Sequence, residues 1–331
     1  MTVMQAWTAE QGELLLGDAP IPTPAAGQLL VKVAAAGLNR ADLVQASGKY
    51  PPPPGESEIL GLEIAGEVLA LGEGVSDFRV GDRVFGLVAG GAYAEYCLLE
   101  QSLSCLLIDT LSNVAAASLP EAWLTVWLNL IELGALRLDG SSNERRVLIH
   151  AGASGVGAAA IQLAKACGAW VAITTSSVEK QAFCRELGAD LVIDYRRQDF
   201  AAEVKAAGGA DLILDTIGGA YLAGNQRCLN QDGQMIVIGL LGGVEAQLNL
   251  GLLLVKRQRI TGSTLRSLPL GRKAQLTQAL REYVLPRISS GEFRVTLDRT
   301  FAFSEAAAAH EYLAQNHNIG KVVLQTFGSV K

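Results

Sequence analysis

The feature that most constrains this chain is the run Val147-Leu-Ile-His-Ala-Gly152-Ala-Ser154-Gly155-Val156-Gly157, followed by an Ala-rich stretch to Cys167. It reads as an apolar strand, a glycine-rich turn and a helix. Such a turn aims the free N–H groups and the positive dipole end of the helix at one point, and a Cβ there blocks the approach of an anion. Read as Gly-x-Gly-x-x-Gly, the key positions are Gly152, Ser154 and Gly157; serine replaces the middle glycine and Gly155 follows it. Around this run, residues 146–150, 170–174, 191–194, 211–215 and 234–239 read as strands, and helices fit 155–167 and 178–187. Strand–helix alternation at this spacing implies a doubly wound parallel sheet covered on both faces, with its ligand at the carboxyl ends of the strands. The turn is therefore expected to hold the pyrophosphate of a dinucleotide through Gly152, Ser154, Gly155, Val156 and Gly157.

The first third of the chain has a different grammar. Seven of the ten prolines lie between Pro20 and Pro54, and short β segments at 28–34, 64–69 and 81–85 are cut by turns such as Gly72-Glu-Gly74 and Gly90-Gly91. This predicts a compact β-rich, partly barrel-like domain. Pro51 to Pro54 can only form an extended surface loop. After residue 260 the alternation stops: a helix over 271–289, a strand over 295–303, an Ala-rich helix and a last strand over 320–325 make a tail that can return to the first domain.

Composition removes several classes of function. With 50% hydrophobic and 18% charged residues the chain is too apolar for disorder. Its 27 basic and 33 acidic residues give a net charge of −6 with no basic run longer than a pair, which speaks against nucleic acid as a partner. The longest unbroken aliphatic stretches, such as 252–255, fall far short of the roughly 20 residues of a membrane span. The start has no signal-peptide pattern, so a cytoplasmic location is expected. Five scattered cysteines, never spaced Cys-x-x-Cys, argue against a disulfide framework and a zinc ribbon.

Cofactor preference is written at the end of the second strand of the alternating region. A ribose 2′-hydroxyl is usually held there by Asp or Glu. Here the segment is Ile173-Thr-Thr-Ser176-Ser177-Val-Glu-Lys180, hydroxyls followed by a lysine. Ser176 and Lys180 suit a 2′-phosphate, so NADPH is favoured over NADH, and Tyr195 is placed to close over the adenosine. In the alternative, Lys180 is a solvated helix residue and Glu179 approaches the ribose.

Several phrases together resemble the medium-chain dehydrogenase/reductase superfamily, and within it the zinc-independent quinone oxidoreductases of the zeta-crystallin-like branch. They are Ala36-Gly-Leu-Asn39-Arg-Ala-Asp42, Gly48-Lys-Tyr50 with its four prolines, Leu60-Gly-Leu-Glu63-Ile-Ala-Gly66, Pro120-Glu-Ala-Trp-Leu-Thr125, the turn from His150 to Gly157, and Asn318-Ile-Gly-Lys321. The resemblance implies a GroES-like domain from residues 1–122 and 268–331 and a Rossmann-type NADPH-binding domain from 123–267. It also implies that the catalytic zinc ligands of metal-dependent members correspond here to Asn39, Leu62 and Glu121. None of these is Cys or His, so no metal is expected.

Without a Lewis acid, the feasible chemistry is hydride donation to an acceptor that is already electron-poor, such as a small quinone or an α,β-unsaturated carbonyl. By the resemblance, Asn39, Tyr50 and Thr125 surround the nicotinamide and the acceptor. Gly239, Leu240, Leu241 and Gly242 with Ser263, Thr264, Leu265 and Arg266 carry the nicotinamide half, and Asn318 and Lys321 reach the cofactor from the tail. The plainer readings are that Asn39 caps the next helix, Tyr50 packs beside the prolines and Thr125 is core. His150, without a Ser or Asp partner at triad spacing, is expected to be a buried, hydrogen-bonded residue, and His310 and His317 are expected on the surface. No cysteine shows an activating pattern. The alternatives to a quinone reductase are a 2-alkenal or enoyl reductase using the same hydride, and a non-catalytic NADPH- or RNA-binding protein. The segment 258–262 is expected to pair as an edge strand in a homodimer.

Overall fold

The computed structural model describes residues 3–142 and 144–326. The chain divides into two units, one made of the residues up to Leu124 together with those from Arg266 onward, the other being Thr125–Leu265. The sequence places these borders at 122/123 and 267/268.

The first unit begins with an antiparallel pair, β1 (Val3–Glu10) and β2 (Glu13–Pro20). Its main sheet is centred on β3 (Gln28–Gly37), where Leu29, Val31 and Val33 point into the core while Gln28, Leu30 and Lys32 alternate with them. That alternation is what a strand with one covered face requires. Asn39 breaks the strand into α1 (Arg40–Ala46), and the chain continues through β4 (Glu63–Leu71), β5 (Arg83–Leu87), β6 (Tyr96–Glu100) and β7 (Ser104–Leu106). Two helices follow, α2 (Asn113–Ala116) and α3 (Pro120–Val126). The helical stretch Asn113–Leu133 has the length and mean hydropathy, 1.3, of a membrane span, although it holds no long unbroken aliphatic run. Its most apolar window is 72% buried within the protein, as in the core helix of a globular domain.

The second unit is a six-stranded parallel sheet in the order β10-β9-β8-β11-β12-β13, made from β8 (Arg146–Ile149), β9 (Trp170–Thr175), β10 (Leu191–Asp194), β11 (Ala210–Asp215), β12 (Leu229–Val237) and β13 (Arg259–Gly262). Its strands alternate with α4 (Gly155–Ala166), α5 (Val178–Glu186), α6 (Phe200–Ala206), α7 (Leu222–Cys228) and α8 (Leu250–Val255). The strand order reverses between β8 and β11, the switch point of a doubly wound sheet. The sixth strand extends the five read from the 146–239 alternation and lies within the segment 258–262, expected as an edge strand. β13 pairs with β12 from Arg259 to Gly262; with only four residues, two of them Arg and Thr, it lacks the apolar run that marks the others.

The returning tail supplies α9 (Leu270–Ala279), α10 (Leu285–Ser289), β14 (Leu297–Ala302), α11 (Ala306–Ala314) and β15 (Lys321–Gln325). The single helix expected over 271–289 is interrupted by a π-helical turn at Leu280–Val284 just before Pro286, whose missing N–H breaks the regular ladder. The first unit's sheet runs β14-β15-β3-β4-β5-β7, with β6 also on β3. It is an open sheet rather than a closed barrel. β15 lies antiparallel to β3, so the last strand of the chain completes the sheet that its first third began.

Candidate active site

In the second unit the glycine-rich turn leaves β8 and enters α4. Ser154 is the N-cap: its Oγ accepts a hydrogen bond from the N–H of Gly157 at 3.0 Å. The serine in place of the middle glycine thus secures the helix end that faces the ligand. A Cβ on Gly152 falls 2.7 Å from that of Ile173, and one on Gly157 overlaps Ala151 O and lies 2.7 Å from Gly152 O. These two glycines let turn, strand and helix close on one another. Ala151 carries a left-handed φ of 52°, and Gly152 N–H donates to Thr174 O at 3.0 Å.

The other expected cofactor residues of this unit collect at the same ends of neighbouring strands. Ser176 follows β9, and Ser177 caps α5 by accepting from Lys180 N–H at 3.2 Å, which sets Lys180 in the first helical turn. Tyr195 follows β10, donates its N–H to Thr175 O at 3.2 Å and is 43% exposed. Gly239 to Gly242 fold against the turn after β11: Leu241 N–H donates to Thr216 O and Gly242 N–H to Ile217 O at 2.7 Å. A Cβ on Gly242 meets Ile217 Cγ2 at 2.7 Å. Ser263 N–H donates to Val237 O at 3.0 Å, Thr264 follows it, and Leu265 is buried. Thr125 is buried, with its carbonyl accepting from Asn129 Nδ2 at 2.7 Å.

Sequence reasoning missed four residues at this end. Asp215 closes β11 and accepts from the N–H groups of Ile217 and Gly218 at 2.7 and 3.1 Å. Asn225, Thr174 and the expected buried His150 join it in one hydrogen-bonded line. Thr216 adds a buried Oγ1 with no hydrogen-bond partner among the described residues. An acid at the carboxyl end of an apolar strand, before Gly218-Gly219, was a usable signal for Asp215. Nothing in the sequence pattern marks Asn225.

In the first unit a buried ion pair forms the hub of a polar cluster. Lys321 Nζ donates to Glu63 Oε1 at 2.5 Å, to Asn39 Oδ1 at 2.6 Å and to Leu38 O at 2.7 Å. Glu63 also accepts from Asn39 Nδ2 at 2.9 Å and, through Oε2, from the N–H of Glu121 at 2.9 Å. Gly37 makes room for this carboxylate, because a Cβ there overlaps Glu63 Oε1. Asp42 Oδ2 accepts from Asn39 N–H at 2.7 Å and from Tyr93 OH at 3.0 Å, and His310 Nε2 lies 3.3 Å from the same phenol. Burial pushes Asp42 up to about 7, against the opposing pull of its hydrogen bonds. Burial, then the Glu63 charge, pushes Glu121 up to about 8, and burial lowers His310 to about 4. The Glu121 carboxyl and the Tyr50 hydroxyl make no hydrogen bond to a described residue.

This arrangement bears on four expectations and corrects one of them, the surface position of His310. Lys321, expected to reach the cofactor, has all three ammonium protons engaged inside the hub. The amide of Asn318 donates to Gly320 O at 2.8 Å and shapes its own turn. Arg266 belongs to the first unit, where its guanidinium holds Ala89 O at 2.8 Å and lies 5.3 Å from the Tyr50 ring. His310 is only 6% exposed rather than at the surface, because its helix turns that face onto Tyr93; His317 is exposed. Asn39 is the N-cap of α1, yet its side chain is tied to Glu63 and Lys321, so the plain capping reading does not exhaust it.

Residues 25–112 match the alcohol dehydrogenase GroES-like domain and residues 187–324 the zinc-binding dehydrogenase family. The synaptic vesicle membrane protein VAT-1 homolog of Rattus norvegicus is 30% identical over 320 residues, 92% of this chain and 78% of that one. The chain belongs to the medium-chain dehydrogenase/reductase family. A polyketide synthase subunit of Mycobacterium tuberculosis, for phenolphthiocerol and phthiocerol, is 31% identical over 304 residues; these are 91% of this chain and 14% of that protein's length. Among solved structures, a mycobacterial protein complexed with NADPH superposes with a TM-score of 0.87 at 29% identity, covering 98% of this chain and 100% of that one. The quinone oxidoreductase of Pseudomonas syringae gives 0.85 at 30% identity, covering 98% and 100%. The CurK enoyl reductase gives 0.82 at 28%, covering 98% and 99%.

The family description names zinc, and the donor set of this member does not fit it. Leu62 is a buried hydrocarbon, Asn39 has both ends of its amide engaged, and the Lys321 ammonium sits between Asn39 Oδ1 and Glu63 Oε1. A cation built into the chain already balances that carboxylate. Among the described residues no group of three or more His, Cys, Asp or Glu side chains is placed to hold a metal ion.

Proposed function

We propose that this family member is an NADPH-dependent reductase that passes hydride to small quinones without a metal. The observation that carries the reading is the lysine–glutamate hub: a member with an ammonium there has no Lewis acid with which to activate an alcohol, and is left with acceptors that are electron-poor already. The residues at the strand ends fit NADPH, since Gly152 and Gly157 let the turn close tightly on the amino end of α4 and the unpartnered Thr216 Oγ1 lies in the same unit. When bound, that cofactor supplies the hydride.

The chain's own contributions follow from its atoms. The turn from Gly152 to Gly157 holds the pyrophosphate at the amino end of α4. Ser176 and Lys180 receive the 2′-phosphate, where a carboxylate would repel it, and Tyr195 covers the adenosine. The turns 216–218 and 239–242, with Ser263 to Leu265, take the nicotinamide half, and Thr125 backs it. Asn39 has a second amide proton to offer a carbonyl oxygen as charge develops there, and the Tyr50 hydroxyl is a second donor. As a homodimer, the protein would cover the edge strand β13 and the exposed Leu250, Leu254 and Val255 beside it. A single sedimenting species near 34.8 kDa would count against that dimer.

A second reading is supported by the likeness to CurK and to the polyketide synthase segment: reduction of an enoyl group with the same hydride. Oxidation of NADPH and of NADH, followed by absorbance with benzoquinone, naphthoquinone and a 2-alkenal, separates the two. NADPH-preferring turnover of quinones, unchanged by a chelator, is the expected result. Turnover of the alkenal alone moves the assignment to the enoyl reductase, and NADPH binding without turnover of any acceptor rejects both.

A further inference from the structure

Behind the glycine-rich turn runs a line of four buried side chains, each at most 1% exposed: Thr174, His150, Asn225 and Asp215. Its ends join the two turns assigned above to the two halves of the dinucleotide. At one end Thr174 Oγ1 accepts from the N–H of Ala151, the left-handed residue of the glycine-rich turn, at 3.4 Å. Thr174 Oγ1 then lies 3.0 Å from His150 Nδ1, and His150 Nε2 lies 2.8 Å from Asn225 Oδ1. Asn225 Nδ2 donates to Asp215 Oδ2 at 3.1 Å, and Asp215 Oδ1 holds the N–H groups of Ile217 and Gly218.

The chemistry of the two ends fixes the direction of every bond. The Asp215 carboxylate only accepts, so Asn225 must turn its NH₂ toward it and its carbonyl oxygen toward His150. His150 therefore carries its proton on Nε2, and its bare Nδ1 accepts from the Thr174 hydroxyl. Asn225 offers its remaining amide proton to Met235 Sδ at 3.2 Å. A neutral histidine satisfies every bond in the line. Phe200 and Tyr221 pack edge-on against its ring at 5.0 and 4.7 Å, and burial holds His150 below the usual histidine range despite the Asp215 charge. The groups facing the imidazole are Thr174 on β9, Phe200 on α6, Tyr221 ahead of α7, Asn225 on α7 and Asp215 on β11. Asp215 is the carboxylate among them, and the Tyr221 phenol is pushed up to about 12, mainly by burial, so it stays neutral.

We infer that His150 and Asn225 are positioning residues for the cofactor, tying the pyrophosphate turn to the 216–218 turn at the separation that a whole dinucleotide requires. The buried Thr216 Oγ1, which has no hydrogen-bond partner among the described residues, lies on the second of these turns. The inference rests on the NADPH reading and gives it a test by halves. A ligand that touches only the first turn does not depend on the tie, whereas one that spans both turns does.

The experiment titrates the full chain with NADPH and with 2′,5′-ADP, which lacks the nicotinamide half, between pH 6 and 8. Wild type is expected to bind NADPH with little pH dependence, because His150 stays neutral. Asn225→Leu removes the tie and should weaken NADPH about tenfold or more while 2′,5′-ADP changes less than about threefold. Thr174→Val, a smaller change that keeps the side-chain shape, should weaken NADPH in the same selective way, and Thr174→Ser should restore it. Asn225→Asp sets a second carboxylate against Asp215 and His150, and NADPH affinity should then vary with pH across this range. Equal losses for both ligands, or no loss in either Asn225→Leu or Thr174→Val, overturn the inference and leave the cofactor assignment standing. Failure of wild type to bind NADPH overturns the assignment and the inference together.

Discussion

In the first unit the buried polar groups gather around a charge, with Lys321 at the centre and Glu63, Asn39 and the Glu121 amide arranged about it. In the second they line up around a neutral ring, with His150 relaying donors toward one carboxylate that backbone N–H groups already satisfy. The two differ in what breaks them. A charged hub fails when one partner is removed, since the other is left as an uncompensated ion in a low-dielectric interior; a neutral relay loses about a hydrogen bond at a time. The hub also bears on the chemistry proposed above, because the ammonium already balances the Glu63 carboxylate.

The largest test of this contrast is Lys321→Met, which strands Glu63; it should cost about 3–5 kcal/mol in denaturant unfolding. Adding Glu63→Gln should recover a good part of that loss, and two independent, additive losses would show that the pair is not coupled. Gly157→Ala comes next. The new Cβ meets backbone of the glycine-rich turn, so about 1–3 kcal/mol of stability and at least tenfold in NADPH affinity should go, and unchanged binding would remove the close-approach argument.

The hub should also be sensitive to pH. Asp42 and Glu121 have folded values near 7 and 8, above their unfolded ones, so their contribution to stability is full below about pH 4 and is lost as pH rises through 7 to 8. His310 has the opposite sign: its contribution is present above its unfolded value of 6.5 and is lost as pH falls through about 4. In Asp42→Asn the decline of Tm between pH 5 and 8 should be shallower than in wild type; parallel curves would take Asp42 out of the account. The smallest effect is expected from Ser154→Ala, which deletes the cap of α4 for about 1 kcal/mol, read as a drop in Tm with the hub untouched.

What could be read from the sequence differs between the same two regions. The parallel sheet and its turn were legible because strand, glycine spacing and helix lie within one short stretch, and each residue's role follows from its neighbours in the chain. Even there the pairing of β13 with β12 was not legible, since a four-residue edge strand needs no apolar run. The hub was illegible because Lys321 and Glu63 are 258 residues apart, and no local pattern tells a lysine that closes an ion pair from one that reaches for a phosphate. The partners of Arg266 were illegible for a similar reason: it lies one residue past the unit border, on the side of Ala89 and Tyr50. His310 sits in an Ala-rich helix whose spacing does not show which face Tyr93 covers.

The position of β15, lodged between β14 and β3, bears on the order in which the protein can become itself during synthesis. A ribosome releases residues 146–262 as one continuous block, and every strand of the parallel sheet is then available to pair. The other sheet has to wait. Until residue 321 emerges, the Ala35–Gly37 end of β3 keeps an unoccupied edge and Glu63 lacks the Lys321 ammonium, so the part of the protein made first is the part finished last. A nascent chain stalled before residue 321 would therefore hold a complete parallel sheet while the sheet of the other unit still lacks a strand.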